Sequence, residues 1–405
     1  MSSLIRRAED AVEVGADGSG GADLLSFLSA LTDPRRPRGI RHGIAPLVAV
    51  AASAVLAGAR SFTAIGEWIA DASQEVLDAL GIRVNRRLSR RVPPDEATVR
   101  RALGGVDADE VDRLFATFLA SRRPRHQSAE DDTLAAVALD GKTVRGARVH
   151  ADPQSRAPHL VSAVTHHDGV VLAQVQVDEK SNEITAVQPL LAGLDLTGVV
   201  VTADAMHTQT AFADWLVTTK QAHYLFIVKA NQPTLHEHVQ DALTGPDTDF
   251  AQHSAVQTNR GHGRIETRTI RVADADETGF PHAAQIFRLR RDRAGLDGVR
   301  TSKEIAYGIT SLPSDLAGPA QLTALTRGHW TIENKLHHVR DVTWGEDHSQ
   351  VRTGNAPRVM AGLRNLATSV LRQAGADNIA KSLRHNARHY GRPLKLFGLN
   401  TIGTG

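Results

Sequence analysis

The sequence predicts a helical N-terminal domain followed by an α/β domain with a mixed sheet. Three observations carry this. Up to about residue 121 apolar residues recur at helical spacing, whereas from residue 134 short β-branched runs alternate with helical stretches. The runs 199–202 and 224–228 are almost continuously apolar, as befits strands buried on both faces. Residues 250–315 carry further strands of alternating polarity, with the helical pattern resuming at about 318.

Taken in order, residues 1–22 are polar, Gly-rich and acidic, a composition that predicts disorder. The helical domain spans 23–121 and opens with Leu24, Leu25, Phe27, Leu28 and Leu31 on one amphipathic face. Two prolines and a glycine make 33–39 a loop. Helices follow over 44–59, 62–80 and 95–121, the last opened by Pro93, Pro94 and Asp95, which suit a helix N-terminus. This domain shows no clear helix-turn-helix signature, but its exposed arginines could rest on DNA. Residues 121–132 are polar and read as a linker.

The α/β domain covers 133–375. Strands are expected at 134–139, 159–165 and 170–177, the last two joined by a hairpin turn at His166-His167-Asp168-Gly169. A helix at 183–194, a strand at 199–202, a helix at 208–220, a strand at 224–228 and a helix at 234–243 complete the core. Strands at 264–272, 286–291 and 304–309 make 250–315 a strand-rich insertion. The helix that follows carries Glu333. Trp330, Ile332, Leu336 and Val339 give it a core face, and His329, Glu333, His337 and Arg340 share another. An amphipathic helix at 358–374 precedes a basic tail, 376–405.

The chain has no cysteine, which excludes disulfide staples, thiolate zinc sites and a cysteine nucleophile, and suits a reducing cytoplasm. No signal-peptide succession opens it, and the longest apolar run, 45–59, is Ala-rich and too short to span a bilayer. The net charge of +2 says little, but basic residues are clustered. Four Arg and no acid lie in 35–41, seven Arg against Asp95 and Glu96 in 83–101, and nine Lys or Arg against Asp377 from 351 onward. Such patches suggest a polyanionic partner, and the excess of Arg over Lys suits phosphate.

Two acids directly follow buried strands: Asp140 after Ala136-Val-Ala-Leu139 and Asp204 after Val199-Val-Val-Thr-Ala203. Strand C-termini in α/β sheets deliver side chains to a cleft. Two such carboxylates joined by a third suit a hard divalent ion and phosphodiester chemistry. An acid at a strand end also starts turns, so each residue alone is ambiguous.

Four stretches then combine: Leu139-Asp-Gly-Lys-Thr-Val-Arg-Gly146, Thr202-Ala-Asp-Ala-Met-His-Thr-Gln209, Tyr224-Leu-Phe-Ile-Val-Lys-Ala-Asn-Gln232 and His329-Trp-Thr-Ile-Glu-Asn-Lys-Leu-His337. Together with Gly345-Glu-Asp-His-Ser-Gln-Val-Arg-Thr-Gly-Asn355 they resemble the DDE transposases of bacterial insertion sequences, above all the H-repeat-associated branch. The N-terminal helical segment resembles that family's associated domain. The resemblance implies a ribonuclease-H-like fold with Asp140, Asp204 and Glu333 as catalytic, metal-binding triad. It implies two Mg²⁺ or Mn²⁺ ions, DNA cleavage at insertion-sequence ends and strand transfer into target DNA without a covalent enzyme intermediate. DNA is the implied partner, with a dimer in the active complex, no membrane, and a cytoplasmic location in a bacterium, on the nucleoid when bound to DNA. The 129 positions between Asp204 and Glu333 accommodate the insertion.

Lys142, Arg145, His207, Lys229, Arg264, Arg327, His329 and Arg340 are candidate DNA contacts. Arg264 and Arg268 flank Glu266 on one strand face and could equally form a salt-bridge ladder. The family's Tyr-x2-Arg-x3-Glu-x6-Lys signature is represented here by Thr326, His329, Glu333 and Arg340, so only the Glu is kept. Two other readings stay open: a catalytically inactive, transposase-derived DNA-binding protein, and a zinc site of His329, Glu333 and His337.

Overall fold

The computed structural model describes residues 23–38, 40–122, 134–149, 156–177, 182–261, 263–276 and 278–399. The N-terminal segment 1–22, nearly all of the 121–132 linker and residues 400–405 lie outside the described residues.

The first domain begins with α1 (Leu24–Leu28), whose N-terminus is capped by the Asp23 carboxylate accepting from Ser26 N. Helix α2 (Ile44–Leu56) is buried along almost its whole length, because its Ala, Val and Leu residues offer no polar face. The single helix expected over 62–80 is two, α3 (Phe62–Ala70) and α4 (Gln74–Ala79). The Ser73 side chain accepts from Val76 N and starts the second. A short hairpin of β1 (Val84–Asn85) and β2 (Arg90–Arg91) follows. The helix expected over 95–121 is likewise divided into α5 (Glu96–Gly105) and α6 (Ala108–Ser121). Asp95 caps the first, and Asp107 caps the second after the Gly104-Gly105 step.

The second domain is built on β3 (Ala136–Thr143), β4 (His159–Thr165), β5 (Val171–Gln176), α7 (Glu183–Ala192), β6 (Val200–Ala203), α8 (Thr210–Thr218), β7 (His223–Val228) and α9 (Pro233–Ala242). The strands of the insertion are β8 (Ser254–Gly261), β9 (Arg264–Asp274), β10 (Gln285–Gly295) and β11 (Arg300–Thr310). They do not form a separate sheet. β11 pairs antiparallel with β7, from Tyr307–Val228 to Thr310–Leu225, so one nine-stranded sheet runs β5-β4-β3-β6-β7-β11-β10-β9-β8. Only β3–β6 and β6–β7 are parallel, which gives the ribonuclease-H-like mixed order at its centre.

Alternation along the strands decides what each face meets. Val137 and Leu139 of β3 pack with Val187, Leu191, Phe212 and Leu216 of α7 and α8. Ala138 points the other way, toward Ile332 and Leu336. Val200 and Leu225 share that opposite side with Leu322 and Leu325 of α10 (Pro319–His329).

Helix α11 (Ala356–Gln373) is buried on nearly every side. It packs against α2, α5 and α6 and also against β5, so it joins the two domains. The Arg358 guanidinium bonds to Asp109 and Asp112, and Gln174 on β5 links Asp112 to Asn365. The expected tail is folded over most of its length: α12 (Ile379–Asn386) and α13 (Gly391–Leu396) bury Ile379, Leu383, Leu394 and Phe397 in the core of the first domain. Leu24 N donates to Phe397 O at 3.0 Å, so both ends of the described chain close one helical body.

Candidate active site

Register sets the residues before Asp140 and Asp204 side by side. The parallel β3–β6 ladder ends at Leu139 and Ala203, and each is followed by its aspartate. β3 itself continues to Thr143 through its antiparallel pairing with β4, so Asp140 lies inside the strand rather than after it. By alternation Asp140 faces the same side as Ala138, toward the segment that carries Glu333.

That segment departs from the single α-helix expected. α10 ends at His329, and π-helical turns follow over Ile332–His337 and Val339–Thr343. Trp344 N donates to Val339 O, five residues back, at 3.1 Å. The changed winding redistributes the faces. Ile332 and Leu336 are buried, but Trp330, expected in the core, is 52% exposed. Of the four residues expected to share a face, Glu333 and His337 meet, whereas His329 and Arg340 turn elsewhere. His337 Nδ1 lies 3.2 Å from Glu333 Oε2 and 3.4 Å from Asp140 Oδ2. These three side chains form a compact group, with one ligand atom of each within 4.8 Å of the others. The hydrogen bond from His337 holds the Glu333 carboxyl below its ordinary range. Burial works against a charged His337, but its bonds to Asp140 and Glu333 outweigh that and raise its pKa.

Asp204 stands outside this group. Its Oδ1 accepts from Met206 N at 3.1 Å, capping the short 3₁₀ turn Ala205–His207. A second cluster beneath the two strands steadies them. His166 Nε2 lies 2.8 Å, and His329 Nδ1 3.1 Å, from the Thr202 hydroxyl, two residues before Asp204. Burial pushes His166 down to about 3, helped by the neighbouring His329. Burial also lowers His329, against the pull of Asp140 and Asp204.

Two features escaped the sequence. Glu183, the first residue of α7, joins His159 Nε2 at 2.6 Å to His207 Nε2 at 3.3 Å. Burial would raise its carboxyl, but these two bonds win and bring it to about 2. A side chain at Gly141 would meet the Glu183 carboxyl and the His159 ring and displace their contact. The other is Glu346, wholly buried between Arg340 and Arg364. Arg340 Nε donates to both its oxygens at 3.0 Å and Arg364 Nη1 to one at 3.0 Å. Neither partnership has a local spacing signature.

The eight candidate DNA contacts divide. Arg145, Lys229, Arg264 and Arg327 are exposed. Lys142 is partly buried and donates to Asp341 at 2.7 Å. His207 and Arg340 are buried on Glu183 and Glu346, and His329 is partly buried on Thr202. The expectation that Arg340 and His207 reach DNA is therefore corrected: both side chains are buried, each against a carboxylate, and neither reaches the surface where a phosphate would lie. The zinc reading is corrected too, because His329 turns to Thr202 and Asp140 stands in its place beside Glu333 and His337. Arg268 and Arg264 both approach Glu266, the latter at 3.9 Å, which realises the salt-bridge alternative for that strand.

The chain has relatives among known proteins. A family model described as "Transposase DDE domain" matches residues 133–370, and one described as "DDE_Tnp_1-associated" matches 25–119. The chain belongs to the DDE transposase family. It is 31% identical over 363 residues to "Putative transposase YncI" of Escherichia coli O157:H7, covering 86% of this chain and 87% of that one. It is 28% identical over 358 residues to "H repeat-associated putative transposase YhhI" of Escherichia coli (strain K12), covering 86% and 90%. Among solved structures, "Cryo-EM structure of piggyBac transposase synaptic complex with hairpin DNA (SNHP)" aligns with 94% of this chain and 77% of its own, at a TM-score of 0.42 and 9% identity. No helix among the described residues is long and apolar enough to cross a membrane.

Proposed function

We propose that this protein cuts DNA at the ends of an insertion sequence and joins the freed ends to target DNA, using Asp140, Asp204 and Glu333. One observation carries the reading: the two aspartates follow the last parallel pair of β3 and β6, and the face of β3 that bears Asp140 is covered by the segment bearing Glu333. Asp140 and Glu333 lie close enough to share an ion, and their oxygens suit Mg²⁺ or Mn²⁺. Bound there, two such ions would acidify a water and polarise the scissile phosphate. Asp140, Asp204 and Glu333 would supply the carboxylate oxygens that hold them. Strand exchange at phosphorus needs no protein nucleophile, in keeping with the absence of cysteine.

DNA is the partner in this reading, and two chains pair two ends. The β1–β2 hairpin offers one grip: Arg83, Arg86, Arg87 and Arg90 are exposed on it. Arg145, Lys229 and Arg327 offer others nearer the cleft.

One observation favours the inactive binder as a second reading, the turn of Asp204 Oδ1 onto Met206 N. The two are separated by incubating the protein with duplex carrying the repeats that flank its reading frame, in Mg²⁺ and in Mn²⁺. Nicking that Asp204→Asn abolishes while binding persists supports the enzyme. Binding by the wild type with no cutting in either ion supports the binder.

A further inference from the structure

We propose that His337 is itself a ligand of the metal position between Asp140 and Glu333, making that position a carboxylate–carboxylate–imidazole site that prefers Mn²⁺ to Mg²⁺. The inference rests on the proposed metal-dependent function and deepens it.

The hydrogen-bonded geometry without metal is also one that an ion could occupy. His337 Nδ1 stands 3.2 Å from Glu333 Oε2 and 3.4 Å from Asp140 Oδ2. The same nitrogen faces both carboxylates, at hydrogen-bond distance from Glu333 and just beyond it from Asp140. Neighbouring ligands of an octahedral ion with bonds of about 2.1 Å stand roughly 3.0 Å apart, close to both separations. His337 is only 4% exposed, and its Nε2 has no hydrogen-bond partner among the described residues. Among the described residues the ring's polar contacts are thus on its Nδ1 side, facing the two carboxylates. The π turn over Ile332–His337 sets Glu333 and His337 toward Asp140 together. Imidazole is a donor for transition ions and Mg²⁺ keeps to oxygen ligands; Mn²⁺, a transition ion that shares the carboxylate sites of Mg²⁺, is the one of the two that gains from an added imidazole.

The test is electron spin-echo spectroscopy of Mn²⁺ bound to the full chain, without DNA. The proposal expects ¹⁴N modulation from a directly bound imidazole in wild type, changed to the ¹⁵N pattern by ¹⁵N-histidine labelling, a comparison that needs no variant. His337→Gln should remove the modulation and weaken Mn²⁺ binding about tenfold or more, with Mg²⁺ binding little altered, whereas His329→Gln should keep the modulation. Mn²⁺ that binds in an Asp140-dependent way without nitrogen modulation overturns the proposal and leaves the triad reading intact. Modulation that survives His337→Gln overturns it as well. Failure of Mn²⁺ to bind at all overturns both.

Discussion

Lys142 and Asp341 meet at 2.7 Å although 199 positions separate them in sequence. The contact ties the strand carrying Asp140 to the π-helical segment carrying Glu333. An alignment role for Lys142 is the expectation this contact raises.

Lys142→Met should slow DNA cleavage by roughly tenfold while changing stability by less than about 1 kcal/mol, as expected for a partly exposed pair. Exchanging the two charges in Lys142→Asp with Asp341→Lys should recover part of the rate. A double variant no faster than the poorer single one would show that alignment is not what Lys142 provides.

Glu346 is enclosed by Arg340 and Arg364, all three buried. Removing its charge strands two guanidinium groups without a counterion. Glu346→Gln should cost about 3 to 5 kcal/mol in urea unfolding. A decrease below about 1 kcal/mol would mean that water reaches this cluster.

Acid should destabilise the fold in two stages. His166 is lowered from 6.5 to about 3. Between those values the unfolded chain takes a proton the folded chain refuses, so stability falls as pH drops below 6.5, by up to about 1.4 kcal/mol per pH unit. Glu183, lowered from 4.5 to about 2, adds stability that is present above 4.5 and is lost as pH falls toward 2. Urea melts at a series of pH values should show His166→Asn flattening the first stage and leaving the second.

The β1–β2 hairpin is tied to the start of α4, with Gln74 bonding both the N–H and the carbonyl of Arg91. Arg86 and Arg87 lie at its exposed end. Replacing both by Ala should weaken DNA binding and lower the salt dependence by about one unit for each phosphate that is no longer neutralised. The melting temperature should not move. An unchanged salt slope, read by fluorescence anisotropy, would remove the hairpin from the DNA-binding surface.

What the sequence determined by itself was local: strand and helix periods, the helical domain, the acids at 140 and 204, and a Glu on a later helix. Periodicity and turn chemistry act over a few residues, so they are legible in one chain. What it left open was decided by distant partners. The insertion strands continue the main sheet because β11 finds β7, and the basic tail folds because Leu394 and Phe397 find the core of the first domain. Arg340 has the sequence setting of a phosphate contact, yet Glu346 and α11 enclose it. His337 shows the same limit most sharply. Its spacing from Glu333 is visible in the sequence, but its approach to Asp140 depends on a π turn and on which face of β3 it covers. Those are outcomes of packing, which only the tertiary structure decides.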